Sequence, residues 1–81
     1  MTRKFKLEWF NVPGVSLGYT EVWDDFDIRE DFSSCKNVTR FANKSKVGSS
    51  FIVFDISGTG FLVMTRVPNH TQTKYNMRSG E

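Results

Sequence analysis

Apolar and polar residues alternate from Lys4 to Asn11, with Phe5, Leu7 and Trp9 on one side and Lys6 and Glu8 on the other. A period of two is the mark of a strand with one wet face. Val12-Pro13-Gly14 then offers proline and glycine for the two central positions of a type II turn. The chain returns through Val15 to Trp23, where Val15, Leu17, Tyr19 and Trp23 share a face opposite Ser16, Gly18 and Thr20. The first quarter of the chain thus predicts a hairpin with an inside and an outside.

A second hairpin is predicted by Phe51 to Ile56 and Phe61 to Val67, joined by Ser57-Gly-Thr-Gly60. Glycine tolerates the positive φ angles that such a loop demands. Here the alternation nearly fails. Phe51 and Val53 oppose Ile52, Phe54 and Ile56, while Phe61, Val63 and Val67 oppose Leu62 and Met64. Both faces are apolar, and both need cover.

Between the hairpins, Cys35, Val38, Phe41 and Ala42 form one stripe at helical spacing. Asp31, Ser33 or Ser34 suits the start of that helix, and Gly48 suits its stop. The expected fold is α+β: a four-stranded antiparallel sheet in β-β-α-β-β order, with one helix packed on one face. Residues 1–68 form the domain and the polar residues 69–81 a loose tail, in which Tyr75 and Met77 are the large apolar groups. A helix of about 14 residues is ~21 Å long and shields a single side of such a sheet. The second apolar face of the last hairpin, assigned to Ile52, Phe54, Leu62 and Met64, then needs a partner or a second copy. Cover by the acidic segment or the tail is the competing reading.

Size sharpens this point. At 81 residues the chain sits near the lower limit for a core without staples, and its 15% aromatic content favours a compact β-rich core over disorder. The one cysteine, Cys35, excludes an intramolecular disulfide and favours a reducing compartment. No apolar run follows the basic N-terminus and none reaches membrane-spanning length, so neither a signal peptide nor a span is expected. The sequons at Asn37, Asn43 and Asn69 carry no weight in that context.

Charge is unevenly spread. Glu21 to Asp31 carries a net −5, leaving +7 on the remainder of a chain whose total is +2. Asp24, Asp25, Asp27, Glu30 and Asp31 do not match the spacing of a calcium loop, which needs a central glycine and a terminal bidentate Glu. The glycines of residues 57–60 join strands and do not open a helix, so they lack the dipole of a phosphate site. His70 is the sole histidine and Cys35 belongs to the buried stripe, which leaves little for catalysis.

The expectation is a small non-enzymatic protein-binding module without metal, cofactor, membrane or small-molecule substrate. Ile52, Phe54, Leu62 and Met64 are its docking surface, and Asp24, Asp25, Asp27 and Glu30 its electrostatic rim. The partner is a protein target, a second copy of the chain in a homodimer, or both. By analogy of size and style, it resembles phage or mobile-element accessory proteins that inhibit or modulate a host protein, which implies the cytoplasm of a host cell. The rival expectation is a nucleic-acid-binding protein using Lys36, Arg40, Lys44 and Lys46 of the basic helix, with Phe10 or Tyr75 stacking on bases.

Overall fold

A computed structural model describes residues 2–54 and 58–73, with Tyr19 described by its backbone alone. The elements run β1 (Lys4–Asn11), β2 (Val15–Asp24), α1 (Asp25–Asp31), α2 (Lys36–Lys44), β3 (Ser50–Phe54) and β4 (Gly60–Val67). Among the described residues the strands form one antiparallel sheet in the order β2-β1-β4-β3, and the class is α+β. Ile56, Ser57 and the tail from Lys74, with its Tyr75, Met77 and Arg78, lie outside the described residues. No helix among the described residues is long and apolar enough to cross a membrane.

Two short helices stand where a single one was expected. Asp24 caps α1 by accepting the Asp27 amide at 3.0 Å, and Asp25 and Asp27 place negative charge in its first turn. Arg29 pairs with Asp25 one turn back at 3.3 Å. The helix ends at Phe32, whose amide reaches the Ile28 carbonyl. The expected caps Ser33 and Ser34 therefore fall in the turn between helices, and Cys35 opens α2 without a side-chain bond. At its other end α2 stops at Ser45, three residues before Gly48, which instead turns the chain into β3.

Both helices cover the same face of the sheet. Phe5 and Leu7 of β1, Leu62 and Met64 of β4, Ile28 of α1, and Val38 and Ala42 of α2 form the buried core. The Phe41 ring bridges it, lying 5.9 Å from Phe5 and 5.5 Å from Phe51. Three polar side chains share the interior. Glu21 accepts the Trp23 indole N–H at 2.7 Å, and Asp25 is held by Arg29 and, at 3.8 Å, by Arg3. The third, Arg66, donates from Nη1 to the Ser45 carbonyl at 2.9 Å and from Nη2 to Asn69 Oδ1, with its guanidinium over the Phe5 ring. The domain's contacts continue past Pro68 to Thr73, whose hydroxyl accepts from Lys4 Nζ.

The first hairpin departs from its expected form at two places. Its turn carries a cis Val12–Pro13 bond, with the Gly14 amide donating to the Asn11 carbonyl, so proline holds the second central position and the turn is not type II. Further on, Glu8 pairs with Thr20 but Phe10 pairs with Ser16, leaving Leu17, Gly18 and Tyr19 opposite Trp9 alone. Gly18 absorbs this irregularity at φ +80°. Val15 and Leu17 end up exposed, not on the inward face expected of them.

Close approach at the start of β4 is equally specific. Gly60 lies opposite Asn11, and a Cβ there would stand 2.5 Å from the Phe10 carbonyl oxygen. Gly60→Ala is expected to cost ~1–2 kcal/mol through forced separation of the strands, read as a lower urea midpoint at unchanged slope. An unchanged midpoint would mean that β1 and β4 part freely at this point.

Candidate interaction site around the third strand

The register between β3 and β4 decides which apolar residues are left over. Ile52 pairs with Val63 and Phe54 with Phe61, while Phe51 pairs with Met64 and Val53 with Leu62. Paired residues of antiparallel strands share a face. The four residues assigned to one docking face are thus split two and two. Leu62 and Met64 point into the core beneath the helices, at 5% and 0% exposure, whereas Ile52 and Phe54 stand at 49% and 71% on the open side. The correction follows from pairing, which the sequence of two nearly continuous apolar runs does not encode.

Neither helix packs on that open side. Its apolar part lies over β1, β4 and β3, where the Phe10 and Phe61 rings stack at 5.1 Å and Phe54 meets Phe61 at 5.9 Å. Ile52 and Val63 extend the patch toward Ser50 and Thr65, whose hydroxyls bond each other at 3.0 Å. The rings therefore form a row that ends at the sheet's edge.

That edge is β3 itself, which among the described residues pairs only with β4. The Arg66 amide donates to the Ser49 carbonyl at 2.8 Å, which marks a bonded position. Antiparallel alternation carries this bonding to Phe51 and Val53 and turns the N–H and C=O groups of Ser50, Ile52 and Phe54 outward. On the helix side, the same strand borders a groove of about 520 Å³ lined by Arg40, Phe41, Lys44, Lys46, Ser49 and Phe51. From Phe32 to Phe54 the chain holds four cations, Lys36, Arg40, Lys44 and Lys46, and no acid, and all four are exposed. A larger apolar cavity of about 610 Å³ lies at the far end of the sheet and takes lining from both faces, Trp9, Phe32 and Leu62 from the helix side and Phe10, Phe54 and Phe61 from the open side.

The acidic residues do not rim this site. Asp24 is spent as a helix cap, Asp25 is buried in its ion pairs, and Asp27 and Glu30 ride on α1 beside β2. With the observed strand order, β2 and β3 are opposite edges about 14 Å apart at ordinary strand spacing. The expected stacking partner of the basic helix is displaced too, because Phe10 lies on the open face and α2 on the other. His70 is exposed and Cys35 half-buried, and no cluster of three metal-ligating side chains occurs among the described residues. Sequence reading missed the buried Arg66 and Glu21, although both fall in step with apolar inward residues of their strands, Met64 and Trp23.

What the fold and site define is an α+β domain of two helices on one face of an antiparallel sheet, the other face uncovered and β2 and β3 its two edges among the described residues. No protein-family model, curated protein or solved structure matches the chain.

Proposed function

We propose that this chain is a non-enzymatic protein-binding module that docks a partner against the β3 side of its sheet. One observation carries the reading: Phe54 and Ile52 lie exposed on an edge strand, continuous with the Phe10–Phe61 stack. Leaving such side chains in water forgoes about 1.5–3 kcal/mol apiece, a sizeable fraction of a small domain's stability. A face four strands wide and eight residues long covers roughly 500 Å², below the ~800 Å² per partner of a standard interface. The partner therefore reaches past the face and over its edge. A module of this kind acts by occupying a surface of its target, as a small accessory protein does when it inhibits or modulates a larger one.

The cations of α2 suit phosphate, but Phe10, the ring expected to stack on bases, lies on the opposite face of the sheet. Protein is the better fit. Phe54→Asp is the test, since its exposure leaves the fold intact. A partner captured by the wild-type chain and reconstituted from purified components should bind the variant at least 100-fold more weakly. If the face instead joins two copies, sedimentation equilibrium will show a concentration-dependent dimer that Phe54→Asp dissolves. Equal binding by both proteins, or capture that nuclease treatment removes, would overturn the reading.

A further inference from the structure

Proteins ordinarily protect the edges of their sheets. Short length, charged side chains, proline and bulges all discourage a stray strand from pairing there. The two edges of this sheet differ in that respect. β2 carries a local irregularity around Gly18 and two acids, Glu21 and Asp24. β3 reads Ser-Phe-Ile-Val-Phe, with no charge, no proline and an unbroken register against β4. Its outward amides and carbonyls are those of Ser50, Ile52 and Phe54, by the alternation derived above.

We propose that β3 accepts an extended segment of another protein as an additional strand, and that this segment alternates apolar with acidic residues. The proposal rests on the docking reading and shares Ile52 and Phe54 with it. Pleating sends successive side chains of an added strand to opposite faces. One set emerges on the open side next to Ile52 and Phe54, where apolar groups extend the patch. The other set emerges on the helix side, against the groove walled by Arg40, Lys44 and Lys46, where carboxylates are attracted. Five strand residues present about 17 Å of edge, enough for a segment of five to seven residues.

Charge also decides against a second copy as the occupant. Symmetric pairing of β3 with β3 would bring two basic α2 helices together across the two-fold axis, with no acid between Phe32 and Phe54 to offset them.

The test uses the full ¹⁵N-labelled chain and blocked octapeptides, with affinity read by fluorescence anisotropy and location by amide shifts. The alternating valine–glutamate peptide should shift the amides of Ser50, Ile52 and Phe54. It should also bind at least tenfold tighter than the valine–lysine peptide or a block-ordered peptide of the same composition. Arg40→Glu with Lys44→Glu should reverse the preference between glutamate and lysine. Both positions are exposed, and the amide spectrum of the double variant verifies its fold. Should that variant fail to fold, the peptide series on the wild-type chain decides alone. Equal affinity for the block-ordered peptide, with shifts confined to Phe10, Phe61 and Val63, would overturn strand addition and leave the docking reading standing. So would the absence of any shift while Phe54→Asp still abolishes partner binding. Displacement of the peptide by single-stranded DNA, with shifts on α2 alone, would overturn both.

Discussion

Phe5→Ala is expected to cost about 3–5 kcal/mol, whereas Phe54→Ala, the same change one face away, should cost less than ~1 kcal/mol. Phe5 is fully buried on a central strand, with the Phe41 ring at 5.9 Å and the Arg66 guanidinium at the same distance. Truncation there opens a cavity that three elements border, and none can collapse into it without moving the others. Phe54 is 71% exposed, and truncation there removes a ring contact with Phe61 without opening a buried cavity. For a domain of this length total stability is ~4–12 kcal/mol, so the first change consumes most of it at the lower bound. Urea unfolding of the two variants, compared at equal slope, checks the pair of values. Similar losses at both positions would mean that the open face is covered and that no docking surface remains there.

That contrast between two phenylalanines was only half legible in the sequence. The inward side of β1 was readable because Lys6 and Glu8 mark its wet face, and Phe5 and Leu7 are indeed fully buried. The second hairpin has no such markers. Its faces are distinguished by the β3–β4 register, which sets Phe54 against Phe61 and Met64 against Phe51. A one-residue slip would exchange the two sets entirely. That the second hairpin carries apolar residues on both faces was thus visible in the sequence, while their division between the faces was not.

The helical layer was legible where its period ran long enough. Val38 and Ala42 are buried as the stripe required, but α1 spans seven residues and shows a single buried apolar side chain, Ile28. Two turns are too short for a period to declare itself. The available signal was chemical: an Asp cap at Asp24, acids in the first turn, and Arg29 four residues after Asp25. Assigning that run as an electrostatic rim took its acids away from the helix they cap and pair within. Lys36, Arg40 and Lys44 were correctly located on a helix surface, whereas Lys46 lies past the end of α2, and what the sequence concealed was their neighbour. Only the tertiary order β2-β1-β4-β3 sets them beside a free strand.

The second large effect is expected at Arg66. Removing a buried guanidinium relieves its desolvation, and among the described residues its Nε has no partner, so substitution has one favourable component. Against this stand the bonds to the Ser45 carbonyl and to Asn69, and the contact with the Phe5 ring. Hydrogen bonds to charged groups contribute about 1.5–3 kcal/mol each, and their neutral acceptors would remain partly buried and unpaired. The losses should win, and Arg66→Met, which keeps much of the side chain's bulk, is expected to destabilise by ~2–3 kcal/mol. In a domain this small that corresponds to a melting point lower by roughly 8–24 °C. Ser45 is also the residue at which α2 ends, so the same clamp fixes Lys44 and Lys46 beside the β3 groove. Amide exchange at Ser45 and Lys46 should therefore accelerate by more than the global loss of stability accounts for. Arg66→Lys should recover only part of the stability, because one ammonium does not reproduce the guanidinium's fork between two acceptors. A methionine variant as stable as the wild type would show that desolvation outweighs the clamp, and that the groove wall is held by packing alone.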